Sequence, residues 1–457
     1  MYNNKSRTKK VVVATMFLLL AGCSSLTAQQ EFAAKTNEVT IPEQWQEKSE
    51  FVNGDFANQL LQLVDKESVS KIVDDALTAN YDLRTTAARL KQSRLLHQQA
   101  EINEDPSLNT SYEASRAKKG AIANSQTLSL NLSWEIDVWG RLADASDAAS
   151  ATAKASELDY TYARNSLAAR VIQAWLDINY RAQIIAVEEQ WVTSLVHTEE
   201  IIREQVLDGE KEQADLDTAK ASTENVRATL AARKQSQLIA IRNLNVLRGQ
   251  SSDNLEDLAL EPVTVSSPPV QVPGNVIGSR PDLIAAYQRI LSADKKTSVA
   301  YKELLPKFTL TASASRTGET MNQLLDSSSA WNLIGGITAP IFNRDSLKNS
   351  ARISELDAEI AYLDYQKLML NALTEVENAF DQEASFKTQE YHLSRAYKHS
   401  FESMRNYQYL YQDGASGVLS LLVAKQSAFQ AKIKLLETEQ ARFSNRITLG
   451  LALGMGV

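Results

Sequence analysis

Chain breakers are scarce in this sequence. Its 457 residues hold 16 glycines and 9 prolines, about half their usual share or less. A protein of many short strands and tight turns would need more of both, so long helices are expected. Cysteine is almost missing. A single Cys excludes a disulfide framework and a Cys-based zinc cluster within the chain. Excess positive charge is also lacking, and a formal net charge of −8 gives no electrostatic case for nucleic acid as a partner. The usual equipment of an enzyme is absent as well. The four histidines (His97, His197, His392 and His399) are scattered over helical stretches, with no Ser/His/Asp spacing and no phosphate-binding Gly loop. His392 and His399 could share a helix face, where surface positions explain them better than a metal site. Wholesale disorder is excluded too, since 23% charged and 44% hydrophobic residues are globular values.

The first 22 residues read as a signal peptide. Lys5, Arg7, Lys9 and Lys10 precede the ten-residue, largely apolar stretch 11–20, a core too short for a stable transmembrane helix. It runs into Leu20-Ala21-Gly22-Cys23, which resembles the lipobox of bacterial lipoproteins. The lone cysteine stands at the one position that motif requires; a plain secretory signal with a chance Cys is the alternative. In the resemblance Cys23 is lipidated, and two or three acyl chains anchor a protein stably. Ser24, rather than Asp, follows it and favours the outer membrane. Residues 23–67 are then a lipid-anchored N-terminal segment.

The rest is a duplication. Asn80-Tyr81-Asp82-Leu83 returns as Arg280-Pro281-Asp282-Leu283, Pro106 as Pro306, and Ser115-Arg116 as Ser315-Arg316. With a few residues of drift, Asp137-Val138-Trp139-Gly140-Arg141 meets Pro340-Ile341-Phe342-Asn343-Arg344, Asp208-Gly209 meets Asp413-Gly414, and Gly249 meets Gly454. The repeats cover 68–250 and 281–457. Between them, 251–280 is rich in proline and reads as an extended linker.

Each repeat has the same order of elements. A helical stretch (68–104, 282–304) ends at Pro106 or Pro306, and strands are expected at about 107–116, 127–138, 307–316 and 331–342. The clearest alternation places Leu128, Leu130, Leu132, Trp134 and Ile136 against Ser129, Asn131, Ser133, Glu135 and Asp137. Strands of about ten residues with one apolar face suit a membrane barrel as well as an ordinary half-buried sheet. The helices favour the barrel. Neither 142–208 nor 346–413 contains Gly or Pro, and each stretch can carry a helix about 100 Å long. Their apolar residues form a single stripe, which must pack laterally as in coiled coils. Four strands cannot close a barrel, and open edges cannot face lipid, so copies of the chain must associate; three supply twelve strands.

In this order, Ser133-Trp134-Glu135-Ile136-Asp137-Val138-Trp139-Gly140-Arg141, Arg280-Pro281-Asp282-Leu283, Leu304-Leu305-Pro306-Lys307-Phe308, Thr338-Ala339-Pro340-Ile341-Phe342 and the closing 450–456 resemble the outer-membrane-factor family. These are the TolC-like channels of efflux pumps, and the lipobox resembles their NodT-type lipoprotein branch. The resemblance implies a mainly α fold with a small membrane β part. Duplicated strand–helix repeats would form a trimeric twelve-stranded β-barrel continuous with a long periplasmic α-helical barrel. It further implies an outer-membrane location, a periplasmic adaptor, an inner-membrane pump that is proton-driven, and a passive conduit with no cofactor and no catalysis.

The resemblance also assigns residues. The adaptor-docking tips fall on Asp208-Gly209-Glu210 and Asp413-Gly414-Ala415. In the periplasmic gate, Tyr411 stands at the tyrosine position and Asp215 at an acidic partner. Ser416 stands where the family has arginine, and Ser420 and Val423 where aspartates narrow the pore, so the usual charged ring is missing or displaced. Two rival functions remain, a protein-secretion channel of the same fold and a structural periplasmic coiled-coil lipoprotein. The second leaves the barrel-like strands unexplained.

Overall fold

The computed structural model describes residues 31–35, 38–45, 59–64, 67–251, 263–268 and 273–457, so Cys23 and the signal segment lie outside the described residues. In chain order the first repeat runs α1 (Glu67–Ala79), α2 (Tyr81–Ile102), β1 (Ser107–Lys119), β2 (Ala121–Ile136), α3 (Arg141–Leu207) and α4 (Gln213–Leu247). The second runs α5 (Pro273–Ser279), α6 (Pro281–Lys302), β3 (Lys307–Gly318), α7 (Met321–Asp326), β4 (Ala330–Thr338), α8 (Arg344–Gln412) and α9 (Val418–Ala452). The long helices α3 and α8 have 67 and 69 residues, about 100 Å each.

Four expected boundaries move, each for a local reason. β4, expected to reach 342, ends at Thr338 ahead of Pro340, which has no N–H for the ladder. The helix expected over 68–104 breaks at Asn80, whose Oδ1 accepts the Leu83 N–H at 3.0 Å and so caps α2. The loop expected between the first two strands is strand as well. β1 and β2 continue to a tight hairpin at Gly120, which takes φ +81°. The linker does not stay extended throughout: α5 begins at Pro273, a residue preorganised for the first helical position.

Met1–Asn37, Leu96–Thr152 and Arg289–Leu363 make one compact unit; Glu38–Leu95, Ala153–Gln288 and Asp364–Val457 make the other. The first holds an antiparallel sheet of order β1-β2-β3-β4. Its register sorts the side chains by chemistry. One row across the sheet is Leu108, Leu132, Ala312 and Leu333, and the neighbouring row is Asn109, Asn131, Ser313 and Asn332. The apolar face is exposed on the single chain, with Leu108 at 60%, Leu333 at 61% and Trp331 at 78%. A face that apolar has no place in water and suits lipid.

Below the sheet the motif 137–141 becomes intelligible. Asp137 caps α3 by accepting the N–H groups of Arg141 at 2.7 Å and Ala143 at 2.9 Å. Gly140 turns with φ +70°. Trp139 donates its indole N–H to the Pro306 carbonyl at 2.7 Å, which ties the two repeats together. In the second repeat the matching Ile341 and Phe342 are exposed instead. The alanine-rich start of α3 admits close approach by α6, since the Ala148 carbonyl accepts the Ser292 hydroxyl at 2.9 Å. Asp144 is buried there among Lys295, Ser298 and Lys302. Burial alone would raise its pKa, but the hydrogen bonds from Lys302, Ser298 and Lys295 hold it below the usual range.

In the helical unit, apolar stripes meet in separate clusters. Ile172, Trp175 and Leu176 of α3 are fully buried with Val73 of α1 and Leu244 of α4. The duplication is visible atom by atom. Asn80 donates to the Leu247 carbonyl near the end of α4, and Arg280 donates to the Ala452 carbonyl at the end of α9. Gly249 and Gly454 both take positive φ. A Cβ on Gly249 would meet the Ala79 carbonyl oxygen at 2.5 Å, and one on Gly454 would meet the Ser279 hydroxyl at 2.8 Å.

Candidate functional site

The two helix tips are built alike. At the first, Gly209 takes φ +79°, its N–H reaches the Val206 carbonyl, and the N–H groups of Glu210 and Lys211 both reach the Gln205 carbonyl. At the second, Gly414 takes φ +72°, its N–H reaches the Tyr411 carbonyl, and those of Ala415 and Ser416 reach the Leu410 carbonyl. This glycine-centred helix stop satisfies carbonyls that the ending helix would leave orphaned. It presents Asp208, Glu210, Asp413 and Ala415 at exposed turns. The first tip is acidic, with Asp208, Glu210, Glu212, Asp215 and Asp217 against Lys211; the second carries only Asp413.

Behind the turns the two hairpins share one core. Trp191, Leu195 and Ile202 of α3, Leu216 and Val226 of α4, Tyr411 of α8, and Val418, Leu421 and Leu422 of α9 are buried together. Tyr411 is only 3% exposed. Its hydroxyl donates to Gln205 Oε1 at 2.6 Å, and the Lys211 ammonium lies 5.7 Å from its ring centroid. Burial raises its pKa, with the negative charge of Asp215 as a second cause. Asp215 thus acts on Tyr411 through charge, while the hydrogen-bond partner is Gln205. Sequence reasoning missed Gln205, because a glutamine four residues before a turn has no signature of its own.

The other gate candidates lie at the start of α9. Ser420 and Val423 are exposed and line a groove of about 560 Å³ with Tyr407, Leu419 and Ser427. Ser416 stands at the turn, its hydroxyl 3.5 Å from the Gly417 carbonyl. The structure brings Ser420 and Val423 together and leaves Tyr411 on the buried side. Lys425, also missed, is buried against α3 and donates to the Ser194 carbonyl at 2.8 Å and to the Thr198 hydroxyl. Among the described residues no group of three His, Cys, Asp or Glu could hold a metal ion. No described helix is long and apolar enough to cross a membrane.

A sheet with a lipid-suited face and a hydroxyl-rich face, joined to paired helices of this length, defines the protomer of an outer-membrane channel. The chain matches the family described as "Outer membrane efflux protein" over residues 72–250 and 272–455, and it belongs to that family. It is similar to "Cation efflux system protein CusC" of Escherichia coli, 26% identical over 85% of this chain and 86% of the relative. It is also similar to "Probable outer membrane lipoprotein SilC" of Salmonella typhimurium, 24% identical over 98% and 99%. The open-state crystal structure of the Neisseria gonorrhoeae MtrE outer membrane channel superposes with a TM-score of 0.83 at 24% identity, covering 92% of this chain and 97% of that one. The chain is therefore an outer-membrane efflux channel, the outer-membrane component of a tripartite pump, reaching into the periplasm. The family is one of conduits, not of enzymes.

Proposed function

We propose that three copies of this chain close one twelve-stranded barrel, and that its periplasmic tips receive an adaptor coupled to a proton-driven inner-membrane pump. The observation that carries the reading is the sheet. β1 and β4 lie at its two edges, and in lipid their backbone groups must pair with strands of another copy. The Gly209 and Gly414 turns dock the adaptor, while Tyr411, with Asp215 nearby, holds the two hairpins of one protomer together behind them. The conduit works without a cofactor and carries small toxic compounds chosen by the pump. Its covalent lipid sits on Cys23.

Purified from outer membranes, the protein should run as a heat-modifiable trimer and form ion-conducting pores in planar bilayers. A monomer without conductance would favour the structural coiled-coil lipoprotein instead. A deletion strain should lose resistance to at least one toxic compound when the cognate pump is present. For the anchor, Cys23→Ser should abolish labelling by radioactive palmitate, and persistent label would refute lipidation at that residue.

A further inference from the structure

One end of the sheet is cationic. Between Glu113 and Glu135 the sequence has three charged residues, Arg116, Lys118 and Lys119, all positive in a chain of net charge −8. The strand register fixes where two of them stand. Side chains alternate across a strand, so Arg116 and Lys118 share the apolar face with Leu108 and Tyr112. The Tyr112 hydroxyl, which donates to Gln126 Oε1 at 3.1 Å, confirms that β1 and β2 are in phase. Along β2 this face runs Ile136, Trp134, Leu132, Leu130 and Leu128, then turns polar at Gln126 and Asn124. From Ile136 to Leu128 is the length of roughly 9–11 residues that a tilted strand needs to cross hydrocarbon. Leu128 pairs with Tyr112 and with Arg316, the repeat mate of Arg116. Arg316 is held by the Leu325 carbonyl at 3.1 Å. Arg116 pairs with Asn124 and Lys118 with Ile122, about 14 and 20 Å past Leu128 along the strand. Both are exposed. The acid Glu113 stands on the other face, opposite Thr127, and Glu319 follows the end of β3.

We propose that Arg116 and Lys118 bind the phosphate groups of a lipid in the outer leaflet. This rests on the barrel reading above, which turns the apolar face toward lipid. The leaflet follows from the chain path. α2, α3, α6 and α8 all join the sheet at the end opposite the Gly120 hairpin, and those helices lead into the periplasm, so the hairpin lies at the outer surface. A cation on the lumen side of a barrel meets water, whereas one on the lipid side beyond the apolar band meets headgroups. Tyr112 and Trp331, 52% and 78% exposed, mark the rim of that band, where aromatic side chains gather at a membrane interface. Charge selects phosphate as the group bound. The guanidinium fork of Arg116 matches two phosphate oxygens, and Lys118 adds a point charge two residues along the same face. A soluble phosphate would be drawn to the same pair but would leave the apolar rows beneath it uncovered. A lipid meets both, with acyl chains along Leu128 and Leu130 and its headgroup at Arg116 and Lys118.

The full chain in mild detergent, titrated with single lipids and followed by native mass spectrometry, tests this. Lipid A carrying two phosphates should bind most tightly, lipid A carrying one more weakly, and zwitterionic phosphatidylethanolamine weakest. The Arg116→Gln/Lys118→Gln protein should bind the two-phosphate lipid at least about tenfold more weakly, since each cation beside an anionic lipid surface contributes several-fold. A protein that loses the same charge far from the sheet, Lys220→Gln/Lys398→Gln, should stay within about twofold of wild type. All four residues are exposed, so both variants should remain heat-modifiable trimers with wild-type conductance. Unchanged lipid binding by the Arg116/Lys118 variant, or equal binding of phosphatidylethanolamine by the wild type, would overturn the proposal. Displacement of lipid A by inorganic phosphate would overturn it too, by making the site one for a soluble anion. A wild type that forms no trimer and never conducts would instead remove the barrel reading, and the lipid site with it.

Discussion

Arg280→Ala should destabilise the helical unit by roughly 3–5 kcal/mol, the range for stripping one partner from a buried ion pair. Arg280 is 2% exposed. Its guanidinium grips Asp282 as a fork, with Nε to Oδ1 at 3.1 Å and Nη2 to Oδ2 at 2.8 Å. Nη1 reaches Glu375 at 2.8 Å and the Ala452 carbonyl at 3.3 Å. Alanine would leave the Asp282 carboxylate, whose side chain is 13% exposed, without its cation in a place water barely reaches. The loss of Glu375 as a partner adds little, since that side chain is 54% exposed. Arg280→Lys should fall between wild type and alanine, because an ammonium keeps the charge but cannot form the fork. Asn80 plays the same part in the first repeat with a neutral amide, and Asn80→Ala should cost only about 1 kcal/mol. Urea unfolding of the detergent-solubilised protein, followed by its helical circular dichroism, measures all three. An alanine variant within about 1 kcal/mol of wild type would make the network peripheral.

Much of this was readable in the residues. The alternation of Leu128 to Ile136 predicts β2 and its two faces, and breaker-free runs predict α3 and α8 within a residue or two at each end. Glycine does the same for the tips, because only a left-handed residue lets a helix stop and turn there. Missing were features set by the partner, not by the local pattern. Backbone pairing continues past the apolar alternation at the outer end of the β1–β2 hairpin, where Lys118 sits opposite Ile122, so a polar segment looked like a loop. The junction of the repeats, β2 against β3, depends on contacts nearly two hundred residues apart. Proline marks extension in the linker, yet Pro273 starts α5, because its fixed φ suits the first helical position as well as an extended chain. Lys425 had a usable signal. It follows Leu421 by four residues and precedes Ala428 by three, which places it on the buried stripe of α9.

That buried ammonium supports the second large effect. Lys425 should make the protein less stable at neutral pH than a methionine in its place. Burial pushes its pKa down to about 8, against about 10.4 in an unfolded chain. The folded state therefore releases its proton first as pH rises. Between about pH 8 and 10 the unfolded chain holds more protons, so stability climbs through that window and is lowest below it. A gap of this size corresponds to roughly 3 kcal/mol. Against it stand the hydrogen bonds to the Ser194 carbonyl and the Thr198 hydroxyl. Losing them costs little, because Thr198 already donates to the Ser194 carbonyl at 2.9 Å, so neither oxygen is orphaned. Desolvation is the larger effect. Lys425→Met should raise stability at pH 7 by up to roughly 3 kcal/mol, converge with wild type near pH 10, and flatten the rise between. Urea midpoints at pH 7, 8.5 and 10 give the answer; a methionine variant that is weaker at pH 7 or keeps the wild-type slope would contradict it.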